Sequence, residues 1–118
     1  MVQSNAVVIG WNRPVTGRET MAAELFGTSM AYYEKLKSTG KIESYEPILL
    51  EVHGGDLNGF VLLRGTHAQL DAVKSSDEFR EIVARAEHCI EGIGVIDGYT
   101  AAVIPQVMQV WTKAIPPR

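Results

Sequence analysis

Residues 6–11, Ala6-Val7-Val8-Ile9-Gly10-Trp11, place apolar side chains on both faces of what reads as a β-strand. Such a strand must be covered on both sides, and that requirement limits the folds open to a chain of 118 residues. Asn12-Arg13-Pro14 ends it, because proline cannot extend a hydrogen-bond ladder and asparagine favours turns. The length fits one domain, 1–118, with one modest core. Hydrophobic residues are 46% and charged residues 21% of the chain, values that disfavour disorder, a collagen-like repeat or a rod.

The rest of the chain supplies elements in a definite order. Thr16-Gly17-Arg18-Glu19 has capping-box spacing, and a helix is expected over 17–39, stopped by Gly40. Met21, Leu25, Tyr32 and Leu36, with Thr28 and Ser29 between them, form its inward stripe. A second stripe, Phe26, Met30 and Tyr33, is rotated from the first and reads either as a broad core face or as a subunit contact. Strands are expected over 42–52 and 59–64, joined by His53-Gly54-Gly55-Asp56-Leu57-Asn58 as a hairpin. Pro47 marks the first of these two as an edge strand or a bulge. Thr66-x-x-Gln69 opens a short helix, and Ser75-x-x-Glu78 opens a longer one with Phe79, Ile82, Val83, Ala86 and Ile90 on one face, ended by Gly92. A last strand follows over 93–99, and Pro105 suits a helix start in the tail, 100–118, which is expected to be helical and to lie at a dimer interface.

The order strand, helix, strand, strand, helix, strand is that of an α+β, ferredoxin-like protomer over 6–99. Right-handed crossovers then give a four-stranded antiparallel sheet with two helices on one face. The other face is bare, its strands are apolar on both sides, and a second copy is the economical cover. The Pro47-bearing strand, Gly-Gly-Asp-Leu-Asn-Gly followed by Phe-Val-Leu-Leu-Arg-Gly, and the Ser-Ser-Asp-Glu-Phe helix start resemble the dimeric α+β barrel superfamily. Among its members the chain is most similar to uncharacterised bacterial proteins of YCII-like type. The resemblance implies two sheets pressed into a shared barrel. It does not choose an activity, since fold analogy carries none.

Glu51 and His53 are two residues apart on an expected strand and so share a face, where a carboxylate beside an imidazole suits acid–base work. Tyr45 lies on the same face. Adding Asp56 gives three donors, too loose a set to be read as a metal site, and no cofactor is expected. Trp11 and Tyr99 close their strands, where they can wall a ligand pocket, and Asp97 in an apolar strand needs a partner. Arg64 is expected to pair with Glu46 across the hairpin. His88 suits a helix C-terminus, His67 a surface position, and Cys89, the single cysteine, an inert buried thiol. Gly92-Ile93-Gly94 with Gly98 has the wrong spacing for a dinucleotide fingerprint and opens a strand.

Lys plus Arg is 11 against 14 Asp plus Glu, a net charge of −3, which argues against a nucleic-acid partner. The N-terminal segment lacks the basic start and long apolar run of a signal peptide, and no window reaches the ~20 apolar residues of a membrane span, so the expected location is the cytoplasm. Three functions remain open to a homodimer of this kind. It binds a small apolar or weakly polar molecule between the sheet and its mate, with Trp11, Tyr45, Asp97 and Tyr99 as lining residues. It is a cofactor-free monooxygenase-, isomerase- or hydrolase-like enzyme using His53 and Glu51. Or it is an interaction module with a filled interior.

Overall fold

Residues 6–11 do form a strand, and it takes a central place in the sheet. A computed structural model describes residues 2–118; Met1 lies outside the described residues. The elements in order are β1 (Ala6–Trp11), β2 (Arg13–Pro14), α1 (Glu19–Ser38), β3 (Ser44–Leu49), β4 (Gly59–Arg64), α2 (His67–Ser75), α3 (Asp77–Cys89), β5 (Ile90–Glu91), β6 (Gly94–Gly98) and α4 (Ile104–Lys113). The main sheet runs β3-β4-β1-β6 with every pair antiparallel. β3 is therefore an edge strand, where the missing N–H of Pro47 disrupts no inner ladder.

Alternation divides the sheet into two faces. Val7, Ile9, Val61 and Leu63 join Leu25, Tyr32, Tyr33 and Leu36 of α1, Leu70 and Val73 of α2, and Phe79, Ile82 and Ala86 of α3 in one buried cluster. On the other face Val8 stands between Leu62 and Ile96, with Glu46 beyond Leu62, and no helix covers them. Ile96 is 59% exposed there. The Glu46–Arg64 pair forms on this face at 3.6 Å, as the hairpin spacing suggests.

The helix ends show where local sequence rules hold. At the end of α1 the Lys41 N–H bonds the Leu36 carbonyl at 2.8 Å and the Gly40 N–H bonds Lys37 at 3.1 Å, a closure that needs the positive φ of Gly40, +73°. At α2 both halves of the Thr66–Gln69 capping box are made. Two expected caps are corrected. Thr16 caps nothing, because α1 begins at Glu19 and Gly17, at φ +91°, turns the chain before it; Glu19 instead accepts from the Gly17 N–H. Ser75 ends α2, and the cap of α3 is Ser76, whose hydroxyl accepts from the Phe79 N–H and donates to the Val73 carbonyl.

Three further expectations shift. Met21 is 51% exposed and Ala22 takes its place in the buried stripe. α3 stops at Cys89, so Ile90 is not its last inward residue but part of β5, and Gly92 makes the turn into β6. β5 pairs with β2 in a separate two-stranded clip, extended by Asn12 N–H to Glu91 and Val15 N–H to Cys89, both at 2.9 Å. The Arg18 guanidinium adds a hydrogen bond to the His88 carbonyl, tying the start of α1 to the end of α3. The tail forms α4, as Pro105 indicates, but none of its residues is buried. Among the described residues no helix is long and apolar enough to cross a membrane.

Candidate functional site

Between the sheet and the pair α1 and α3 lies a cavity of about 370 Å³. β1 contributes Ile9 and Trp11, β4 Val61, α1 Ala22, Phe26, Ser29, Met30 and Tyr33, and α3 Ile82 and Ala86. Ala22, Ala23 and Ala86 are among the lining residues, and larger side chains there would take up part of the space. An aliphatic wall of this volume falls in the range of small-molecule sites, and 150 Å³ already accommodates benzene in an engineered core.

The wall carries few polar groups. Ser29 is buried within α1, and Tyr33 is buried beside it one turn on. Burial pushes the Tyr33 phenol well above its ordinary value of 10.0, with the neighbouring Tyr32 adding to the effect, so it stays a neutral hydroxyl. Glu19 stands at the rim, exposed, with one oxygen already engaged by the Gly17 N–H. Trp11 and Phe26 meet edge to face at 6.1 Å, and Leu49, 69% exposed, completes an apolar lip. The second stripe of α1 is thus explained: Phe26, Met30 and Tyr33 line the cavity, which favours the broad-face reading over a subunit contact.

The expected site residues separate. Trp11 reaches the cavity wall. Tyr45 packs on Tyr33 at 6.2 Å, one ring removed from the cavity, and the nearby Glu34 carboxylate raises its pKa. Asp97 lies at the β6 edge on the helix-covered face and finds the partner it needs, the Lys74 ammonium at 2.6 Å. Tyr99 follows β6 and is exposed.

Glu51 and His53 are not on a strand. β3 ends at Leu49, and both lie in the exposed connection to β4. There the His53 ring serves its own loop: Nδ1 accepts from the Gly55 N–H at 3.2 Å, which makes Nε2 the protonated nitrogen, donating to the Leu57 carbonyl at 2.7 Å. Asp56 does not gather with them; among the described residues no group of three His, Cys, Asp or Glu side chains is placed to hold a metal ion. Cys89 is fully buried and donates weakly to the Arg85 carbonyl. The cavity itself has a different location from the pocket expected between sheet and mate: it lies on the helix-covered side, within one protomer.

No family model and no curated protein matches the chain. Among solved structures it is similar to a dimeric protein of unknown function and ferredoxin-like fold from Bacteroides fragilis NCTC 9343. The two share 13% identity over 85% of this chain and 100% of the other, with a TM-score of 0.57. A likeness at that identity concerns the fold, and with the sheet order above it shows a ferredoxin-like α+β architecture.

Proposed function

We propose that this chain is a homodimeric binding protein for a small, mainly apolar organic molecule, held in the cavity between α1, α3 and the sheet. The observation that carries the reading is the cavity of about 370 Å³, walled by aliphatic and aromatic side chains around two hydroxyls. A ligand of one or two rings fits the volume. One carbonyl or hydroxyl on it suits the neutral phenol of Tyr33 or the hydroxyl of Ser29. A carboxylate would meet no cation among the lining residues. Glu51 and His53 lie outside this cavity, and the reading uses neither. The uncovered sheet face, and a structural neighbour described as dimeric, support the assembly.

The test is a titration with the neutral fluorophore N-phenyl-1-naphthylamine. The protein is expected to bind it, and Ala86→Leu, which fills the cavity, is expected to weaken binding at least about tenfold while keeping or raising thermal stability. No binding, or equal binding by the variant, defeats the reading. Native mass spectrometry of freshly purified protein then looks for a retained small molecule.

A further inference from the structure

The last part of the chain carries a surface that the protomer leaves open. Ile104, Met108, Trp111 and Ile115 recur at spacings of four, three and four, which places them on one side of α4 and its C-terminal turn. All four are exposed, Trp111 by 62%. A helix of 10 residues is marginal without packing, so this stripe calls for a surface to rest on. The root of the helix is fixed: the Asn5 side chain donates to the Thr100 hydroxyl at 2.7 Å and accepts from the Thr100 N–H at 2.8 Å.

The size of the uncovered surface indicates how much must be covered. The chain exposes 7795 Å², against roughly 6,300 Å² for a compact folded chain of this length. Its radius of gyration is 16.2 Å, against roughly 13.5 Å. The bare sheet is too small to account for a dimer by itself. Four strands about 4.8 Å apart and about 17 Å long give a footprint of roughly 320 Å², while a stable interface takes about 800 Å² from each partner. The apolar stripe of α4 supplies further area of the same chemistry.

We propose that α4 is an arm that lies against a second copy of the chain, so that two sheet faces and two arms form one isologous interface. This rests on the homodimer reading above and adds its geometry. Charge agrees with a self-complementary contact, because Glu46 and Arg64 on the sheet face neutralise each other within one protomer. Charge also disfavours a lipid surface as the occupant. The polar side of α4 offers Gln106, Gln109, Thr112 and Lys113, a single cation in a chain of net charge −3, whereas helices that rest on anionic membranes carry several.

The test is sedimentation of the full chain at micromolar concentration, with circular dichroism to verify folding. Wild type is expected to be a dimer. Met108→Glu with Trp111→Glu is expected to raise the dimer dissociation constant about 100-fold or more, and Gln109→Glu on the polar side to leave it unchanged. In a Trp11→Phe background, Trp111 emission is expected to move to longer wavelength on dilution as the dimer dissociates; this readout needs no charge in the interface. A double variant that dimerises like wild type, while Ile96→Glu on the sheet face dissociates, overturns the arm and leaves the dimer standing. A wild-type monomer overturns both. Trp111 emission that stays at short wavelength where sedimentation shows the chain to be monomeric places the arm on its own protomer, and binding of the wild type to phosphatidylserine vesicles with loss of the dimer assigns the stripe to lipid; either result overturns the proposal.

Discussion

The indole of Trp11 lies across Gly59, its directly paired residue in the neighbouring strand: a Cβ at Gly59 would stand 2.6 Å from Cζ2 of the ring. Glycine at this position is what lets the ring lie flat over the strand and reach Phe26. Gly59→Ala is expected to push the indole off the strand toward the cavity. The expected result is a stability loss of about 1–3 kcal/mol by urea unfolding and weakened binding of N-phenyl-1-naphthylamine. Unchanged tryptophan emission and stability in the variant would contradict this account of the cavity wall.

Tyr33 makes stability depend on alkaline pH. Its folded-state pKa is raised by burial above the ordinary 10.0, so the folded chain holds the phenolic proton more tightly than the unfolded chain. Its contribution is fully present below about pH 10 and is lost as pH rises above that value, by up to about 1.4 kcal/mol per pH unit. Urea unfolding between about pH 8 and pH 11 is expected to show a decline starting near 10. Tyr33→Phe should remove part of the slope, and the difference between the two curves isolates this residue.

Neighbouring hydroxyls differ in what they support. Ser76→Ala removes the acceptor for the Phe79 N–H and the donor to Val73, and is expected to cost about 1–2 kcal/mol. Ser75→Ala, one residue earlier, is expected to stay within about 0.5 kcal/mol of wild type. The same contrast holds between Thr66→Ala, which breaks a complete capping box, and Thr16→Ala, which breaks none. Thermal melts of the four variants check both pairs.

Lys74 and Asp97 join α2 to the edge strand β6 at 2.6 Å. Both side chains retain solvent contact, which limits the value of the pair. Asp97→Asn is expected to lower stability by less than about 1 kcal/mol at low salt and by less still in 1 M NaCl. An effect that does not respond to salt would mean that the carboxylate acts by something other than charge.

The element order was legible because β1 and β4 are short apolar runs bounded by turn residues, while α1 and α3 repeat their apolar positions near 3.6. The edge position of β3 was legible from Pro47 alone, and α4 from Pro105. The cavity was harder to see. Its wall brings together Ile9, Ala22, Val61 and Ala86, which are far apart in sequence, and an alanine that leaves space reads like any other small core residue. The second stripe of α1 was the visible trace, because Phe26, Met30 and Tyr33 exceed what one sheet-facing stripe needs. His53 was misplaced for a local reason. The apolar run Ile48-Leu49-Leu50 and Val52 carry the expected strand to residue 52, but the Leu50 N–H bond to Asn58 closes the hairpin and leaves the intervening residues to form a loop around the imidazole. Cap positions slipped at Thr16 and Ser75 because spacing alone does not say where a chain turns.

The inner position of β1 sets an order of events during synthesis. It is made first, yet its partners β4 and β6 begin only at Gly59 and Gly94. At roughly 5–20 residues per second, the segment waits on the order of several seconds before β4 has emerged to pair with it. Until then Val7, Val8 and Ile9 form an apolar strand with two open edges. The finished sheet protects both, so the hazard of unwanted strand pairing for this segment is concentrated at the ribosome.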